Sequence, residues 1–372
     1  MIHSFKTSRL WLLATAMLCT TAFAQGPNGY KHVLREKSEK FFRTDEARRI
    51  GDQLLLYQRC TGGWPKNIDM VRPLDASERK QIEEKKKLRY DSTTDNDATT
   101  MQITFLARLW QQTHENKYSE AFQRGIEYLL SGQYKNGGWP QFWPGMRDYQ
   151  VHITYNDDAM AQTMLLLRDV AEQRVPYQGN IATEKLRKKA QAAFDKGIEC
   201  ILATQITDAD GTLTVWCQQH DYKTLKPTKA RAYELPSYCT QESATLVGML
   251  MDLPNPDDRV KRAVHAAMTW FEKHKLTGLR IVRRGFKGGP KGNTELVKDD
   301  TAGPLWARYY DLEKGEPFVC DRDGIPRKSI EELSEDRRNG YAWYNDRPAE
   351  LYDKYRKWSA KWGTAPMVSL TE

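Results

Sequence analysis

Two short acid-rich segments carry the side chains of this sequence that are best suited to chemistry. Residues 94–99 (Thr-Asp-Asn-Asp-Ala-Thr) and residues 152–160 (His-Ile-Thr-Tyr-Asn-Asp-Asp-Ala-Met) each end where a helix-like stretch begins. Carboxylate and amide oxygens are the ligands that Ca²⁺ prefers over softer metals. If the two segments lie side by side, their like charges need a counterion, and a hard divalent cation satisfies them best. We therefore predict a calcium site with Asp95 and Asp157 as candidate ligands.

Asp97 and Asp158 have a simpler interpretation. An Asp directly before a helix commonly caps it by accepting a hydrogen bond from a backbone amide of the first turn. We predict this capping role for both residues. One cap suffices for each helix, so Asp95 and Asp157 are left for another use.

Two clusters further along the chain combine cations with aromatic and acidic residues. In residues 229–237, Lys229 and Arg231 stand close to Glu234, so Arg231 either contacts a ligand or pairs with Glu234 to hold a loop. Arg308 and Arg322 either bind substrate carboxylates through two parallel hydrogen bonds or form ordinary ion pairs with neighbouring aspartates.

A repeated motif indicates how these clusters are positioned. Gln-x-x-x-Gly-Gly-Trp-Pro begins at Gln58 and again at Gln133, about 75 residues later, and a weaker copy begins at Gln205. Helical periodicity flanks the copies. It covers residues 97–114, 119–131, 158–173 and 185–205. Helical hairpins repeated in this way predict an all-α fold, an (α/α)₃ toroid around a common cleft. The turn tryptophans either stack on sugars or pack between helices, and for Trp139 we favour packing.

The rest of the chain adds to this toroid. Dense charge over residues 72–90 predicts a solvated helical arm, and residues 257–275 and 348–362 predict two further helices. Residues 277–340 are rich in Gly, Pro, Arg and aromatics, which predicts long loops with minor β structure, including a strand at 279–282.

Composition limits the class of protein. The chain has 372 residues, of which 40% are hydrophobic and 28% charged, which excludes disorder and collagen. Residues 1–24 have the basic start, short apolar run and Ala-Phe-Ala end of a signal peptide, and that run is too short to span a membrane. We expect one exported catalytic domain, residues 25–372, acting as a monomer in the periplasm or outside the cell. The net charge of +8 suits an acidic polysaccharide better than nucleic acid, although solubility explains it equally well.

Six motifs in this order resemble polysaccharide lyase family 10, the pectate lyases with an (α/α)₃ toroid. They are residues 62–67 (Gly-Gly-Trp-Pro-Lys-Asn), 94–100, 137–144, 152–160, 229–237 and 305–311. One difference is Asp97, which stands where the family often has Gly.

The resemblance implies cleavage of α-1,4-polygalacturonate by Ca²⁺-assisted β-elimination, which gives 4,5-unsaturated oligogalacturonides. It implies Asp95, Asn96 and Asp157 as metal ligands and Arg231 as the base that removes the C5 proton. The implied substrate contacts are Lys229, Arg308, Arg322, Trp64 and Lys66. A guanidinium group loses its proton only at high pH, so we expect an alkaline optimum.

Two other functions stay open on the residues alone. An inverting glycoside hydrolase would use Asp95 and Asp157 as its acid and base. A binding protein for acidic glycans would use the same cleft without turnover.

Overall fold

The computed structural model describes residues 29–284 and 293–362. The predicted signal peptide, residues 1–24, lies outside the described residues. None of the helices in the described ranges is long and apolar enough to cross a membrane.

Helices dominate the described ranges. They are α1 (Gly29–Leu34), α2 (Glu39–Phe42), α3 (Asp45–Tyr57), α4 (Ala76–Lys85), α5 (Thr100–Thr113), α6 (Asn116–Ser131), α7 (Ala159–Ala171), α8 (Glu184–Thr204), α9 (Thr240–Met251), α10 (Asp258–Lys273), α11 (Glu335–Gly340) and α12 (Tyr352–Lys361). Short 3₁₀ turns lie at Asp95–Asp97, Asp148–Val151, Asn156–Asp158, Ile330–Glu332 and Ala349–Leu351.

The helices form two layers. Helices α3, α6, α8 and α10 pack in that order and each has a polar outer face, whereas α5, α7 and α9 pack beside one another with nearly every side covered. Each inner helix packs against the outer helix that follows it, and α12 packs against α9. A helix that is apolar on most sides must lie inside, which explains why these three form the inner layer. The predicted helical toroid is confirmed.

Four tryptophans tie the cleft end of the toroid to the outer layer. Each indole N–H donates to a carbonyl near the end of an outer helix. The pairs are Trp64 Nε1 to Leu54 O (2.8 Å), Trp139 to Leu129 (2.7 Å), Trp216 to Ile201 (2.7 Å) and Trp306 to Phe271 (2.8 Å). The weak third copy of the repeat is therefore real, and Trp306 marks a fourth that the sequence motif does not predict. Trp139 is fully buried, so its predicted packing role is confirmed.

The glutamines that open the first three copies also have equivalent contacts. The Gln58 amide donates to Gly62 O at 2.8 Å and to Ala121 O, on the next outer helix, at 2.9 Å. Gln133 and Gln205 make the same two kinds of bond. Each glutamine therefore fixes its own turn against the neighbouring repeat.

Strands are short and antiparallel. They are β1 (Ile153–Thr154), β2 (Gln219–His220), β3 (Tyr238–Cys239), β4 (Leu279–Arg284), β5 (Asn293–Lys298), β6 (Trp306–Ala307), β7 (Tyr309–Tyr310), β8 (Pro317–Cys320), β9 (Pro326–Arg327) and β10 (Tyr344–Asn345). The sheets are β1-β2, β10-β6, β3-β7-β8-β9 and β4-β5. The strand predicted at 279–282 forms the first four of the six residues of β4. The arm predicted at 72–90 is helical only over α4, where Asp75 and Glu78 form a capping box.

Candidate active site

Equivalent backbone hydrogen bonds align the starts of the three inner helices. The amides of Thr93, Thr154 and Cys239 donate to the carbonyls of Trp64, Trp139 and Trp216 at 3.2, 3.0 and 2.8 Å. In this register, Asp95 corresponds to Asn156 and Gln241, and Asn96 corresponds to Asp157 and Glu242. The acid-rich segments thus occupy one end of the toroid, as the sequence predicted.

A cleft of about 320 Å³ opens at this end. Six residues named from the sequence line it: Lys66, Asp95, Asn96, Asp157, Arg231 and Arg308. Side chains that the sequence analysis did not name as site residues also line it, among them Gln141, Tyr149, Asn156, Gln241 and Tyr341. The structure therefore brings together segments that are far apart along the chain.

The turns before α5 and α7 hold Asn and Asp residues in the left-handed region. The backbone φ angles are 55° and 63° at Asn96 and Asp97, and 51° and 59° at Asp157 and Asp158. Asn and Asp tolerate this conformation better than other side-chain-bearing residues. Of these four, Asn96 and Asp157 line the cleft.

The predicted capping role of Asp97 and Asp158 is wrong. Neither side chain accepts a capping hydrogen bond from the helix that follows. Asp97 pairs with Arg35, and Asp158 pairs with Arg347 at 2.8 Å. The left-handed backbone at both residues replaces the extended conformation that a normal N-cap has.

Asp95 is the more deeply buried of the two carboxylates that line the cleft. Its residue surface is 3% exposed, and Oδ2 pairs with Lys66 Nζ. Oδ1 is shielded from solvent and has no hydrogen-bond partner among the described residues. A buried carboxylate oxygen without a partner is costly, so Oδ1 is an acceptor that a ligand or cation can satisfy.

Asp157 faces Asp95 across the cleft with a different set of contacts. Its Oδ2 accepts from Asn156 Nδ2 at 3.2 Å, and its Oδ1 lies 3.6 Å from Arg308 Nη2. Burial raises the pKa of Asp157 above its usual value, Arg308 acts in the opposite direction, and the Glu242 carboxylate raises the pKa further.

The acid-rich turns already have counterions within the protein. Each aspartate has its own cation: the pairs are Asp95 with Lys66, Asp157 with Arg308, Asp97 with Arg35, and Asp158 with Arg347. Repulsion between these carboxylates therefore does not require a metal, contrary to the prediction from the sequence. What still favours a cation is the free Asp95 Oδ1 together with the oxygen-rich lining.

Arg231 lines the cleft and pairs with Glu234, so the predicted pairing is confirmed and the contact with a ligand stays a prediction. Arg231 Nε donates to Glu234 Oε2 at 2.7 Å, and Nη2 donates to Oε1. Tyr341 Oη donates to the same Oε1 at 2.9 Å. Partial burial lowers the pKa of the Arg231 guanidinium, but the Glu234 pair outweighs it and the net pKa is raised. Nη1 makes no hydrogen bond to the described residues and is the nitrogen left for a ligand.

Arg308 joins the starts of two inner helices from beneath the cleft. The residue is 3% exposed, and Nη2 donates to Asn156 Oδ1 at 3.2 Å and to the buried Glu242. The Tyr341 ring lies 4.7 Å from the guanidinium carbon. Burial lowers the pKa of Arg308, but Glu242 outweighs this effect, so the group stays a cation. Its main contacts hold the site together.

Three other predicted site residues lie elsewhere. Trp64 is fully buried, so the prediction that it contacts substrate is wrong; its ring is needed to anchor the turn. Lys229 and Arg322 do not line the cleft. Arg322 pairs with Asp336 at 2.6 Å on the surface.

The described residues thus form an α/α toroid with a charged cleft at the start of its inner helices. The chain belongs to the pectic acid lyase family, whose family model matches residues 58–352, and it is a polysaccharide lyase. It is similar to the family 10 polysaccharide lyase from Cellvibrio cellulosa, with 30% identity and a TM-score of 0.74 over 89% of this chain and 96% of that chain. An aspartate-to-alanine mutant of that lyase in complex with trigalacturonic acid matches with the same identity and TM-score, over 89% of this chain and 97% of that one. No curated protein matches the sequence significantly.

Proposed function

We propose that the protein is a pectate lyase that cleaves α-1,4-polygalacturonate by Ca²⁺-assisted β-elimination, with Arg231 as the base. The observation that carries this proposal is the presence of Asp95, Asp157 and Arg231 in one cleft. The complex of the similar Cellvibrio lyase with trigalacturonic acid supports this choice of polymer.

The elimination breaks two bonds of one uronate unit and forms a double bond. The base takes the proton from C5, the electron pair of that bond forms the C4=C5 double bond, and the glycosidic oxygen leaves C4 and is then protonated. Negative charge develops on the carboxylate attached to C5 as the proton leaves. Groups that stabilise this charge therefore lower the barrier.

The donor set fits a hard divalent cation. Asp95 through its free Oδ1, together with Asn96 and Asp157, would hold Ca²⁺. When bound, Ca²⁺ neutralises the uronate carboxylate and stabilises the charge that develops beside it. The described residues contain no group of three or more His, Cys, Asp or Glu side chains arranged as a metal site. Polymer carboxylates and water would therefore complete the coordination.

The charges around the cleft also favour the binding of a divalent cation. The cations Lys66, Arg231 and Arg308 are opposed by the carboxylates of Asp95, Asp157, Glu234 and Glu242. The carboxylates outnumber the cations by one, so the protein alone does not attract a polyanion to this point. A bound divalent cation reverses the sign of the local charge.

Arg231 has to act in its deprotonated form. Glu234 holds the guanidinium in one orientation, with Nη1 free for the polymer, and also stabilises the protonated form. Only a small fraction is deprotonated near neutral pH, so the rate rises as the pH increases. Lys66 would contact the polymer inside the cleft, whereas Lys229 and Arg322 would contact only a longer polymer that extends beyond it.

We also propose that residues 1–24 direct export and that residues 25–372 act as one domain, as a monomer, in the periplasm or outside the cell. The polymer itself is too large to be met inside the cell, which supports this location.

The decisive experiment compares wild type, Arg231→Ala and the surface control Arg79→Ala on polygalacturonate, with Ca²⁺ or with EGTA. Ultraviolet absorbance of the unsaturated product should rise only with Ca²⁺, and Arg231→Ala should lower the rate by about a thousandfold. New reducing ends without absorbance would indicate a hydrolase, and binding without any product would indicate a glycan-binding protein. Either result would overturn the proposal.

A further inference from the structure

The residue two positions after each anchoring tryptophan occupies an equivalent place at the cleft end. These residues are Lys66, Gln141, Gln218 and Arg308. Because the four indoles make the same bond to the outer layer, the chain leaves each tryptophan from a corresponding position. Lys66, Gln141 and Arg308 line the cleft. Gln218 is fully buried and accepts a hydrogen bond from Tyr309.

Gln141 differs from the two cations in charge and in contacts. Lys66 pairs with Asp95, and Arg308 pairs with Glu242, whereas the Gln141 side chain makes no hydrogen bond to the described residues. The residue is only 5% exposed, and its Oε1 is shielded from solvent. A buried amide that lacks hydrogen-bond partners is stabilised when a ligand in the cleft supplies those hydrogen bonds.

The backbone of Gln141 is held firmly, so the amide has a defined position. Its N–H donates to Gln150 O at 3.2 Å, and its carbonyl accepts from Thr93 Oγ1 at 2.6 Å. The equivalent of Asp95 in this repeat is Asn156, which is also neutral. This part of the cleft therefore presents amides where the first repeat presents a lysine and an aspartate.

An amide selects a different partner from a lysine. It offers donors and an acceptor without a positive charge, so, unlike a lysine, it gives a charged carboxylate no electrostatic advantage over a hydroxyl group or an uncharged methyl ester. We propose that Gln141 is a specificity-determining residue whose subsite takes an uncharged uronate unit, so that partly methyl-esterified polymer is cleaved. This inference rests on the proposed lyase function.

Opposite charges introduced at this position provide the test. The variants are Gln141→Lys and Gln141→Glu, with Gln81→Lys on the exposed helix α4 as the matched control. For each, kcat/KM is measured on polygalacturonate and on pectin with an intermediate degree of methyl esterification. Thermal unfolding verifies that each variant is folded.

The ratio of kcat/KM on esterified to unesterified polymer should fall about tenfold in Gln141→Lys and rise in Gln141→Glu, with no change in Gln81→Lys. A structural role would lower both activities without moving the ratio in opposite directions. If one charged variant does not fold, the neutral Gln141→Met should still lower kcat/KM on esterified polymer more than on polygalacturonate. An unchanged ratio in every folded variant, with a wild type that makes unsaturated product, would overturn this inference alone. A wild type that makes no such product would overturn the proposed function instead.

Discussion

Lys66 pairs with one oxygen of Asp95, and the other oxygen is buried without a partner in residues 29–284 and 293–362. The lysine thus acts as an internal counterion beside a proposed Ca²⁺ ligand. A cation bound at Asp95 Oδ1 would be repelled by the ammonium group, whereas a polyanionic substrate would be attracted by it.

Lys66→Met should therefore separate metal affinity from substrate affinity. We expect the half-saturating Ca²⁺ concentration to fall and KM for polygalacturonate to rise, each by about threefold to tenfold, or about 1 kcal/mol. Rates measured against Ca²⁺ and against polymer test this, with Lys80→Met on the exposed α4 as control. If both constants fall or neither moves, Lys66 does not have this double role.

Asp97→Gly should leave catalysis unchanged. The side chain pairs with Arg35 and does not line the cleft, and its φ of 63° suits glycine. The variant loses an exposed ion pair and gains the flexibility of glycine, and both changes lower the free energy of unfolding. Relief of the left-handed backbone strain raises it, so the net change should be less than about 1 kcal/mol. Calcium titration and urea unfolding are the measurements. A large shift in half-saturating Ca²⁺ would identify Asp97 as a ligand after all.

Glu234→Gln should move the pH profile of the elimination toward lower pH. Glu234 raises the pKa of Arg231, so its removal lowers that pKa and enlarges the deprotonated fraction at any pH below it. The rising limb of log kcat against pH should shift accordingly, while Glu84→Gln on α4 leaves it in place. If the limb stays fixed in a folded Glu234→Gln protein, Arg231 is not the group that takes the proton.

His220 should make the protein acid-sensitive. Its Nε2 accepts from the Cys217 amide at 3.1 Å and its Nδ1 lies 2.9 Å from Leu225 O, so the ring is held neutral. Burial lowers the pKa of His220 from the usual 6.5 to about 4. Between these values only the unfolded chain takes the proton, so the stabilisation is complete above the unfolded pKa and is lost as the pH falls toward the folded one.

Urea unfolding of wild type and His220→Gln at several pH values tests this. The free energy of unfolding should fall by about 2 kcal/mol more in wild type than in the variant between about pH 7 and pH 5. His152, His265 and His274 titrate in both proteins, so the difference isolates His220. Parallel curves would mean that its pKa is not depressed.

The sequence motif predicts clearly only the first two copies of the repeat, in which the turn requires both the glycine and the tryptophan. At Gly62 and Gly137 the φ angles are 94° and 91°, and an added Cβ would collide with a backbone carbonyl of the next outer helix. The third and fourth copies keep the tryptophan bond but not this turn. Since a single indole N–H bond leaves little trace in the surrounding sequence, Trp216 gave a weak match and Trp306 none.

The site was predicted less completely than the fold. Residue type and spacing predicted that Asp95 and Asp157 meet, because the repeat places them at the same end, whereas Arg231 was assigned to the site only by the resemblance of residues 229–237 to the lyase family. Spacing does not reveal a left-handed backbone, so Asp97 and Asp158 were assigned as caps. It also does not reveal exposure, so Trp64 was assigned to the polymer. Glu242 was missed because its acid stands alone in a helix start, where its pairing with Arg308 depends on tertiary structure.

The four indole bonds attach the cleft end of each repeat to the outer layer of helices. The tryptophan attaches its turn to the outer layer, whereas Lys66 and Gln141, two positions after their tryptophans, line the cleft and take no part in that attachment. Substitutions of Lys66 or Gln141 can thus alter which polymer is bound while the indole bonds that close the toroid stay in place.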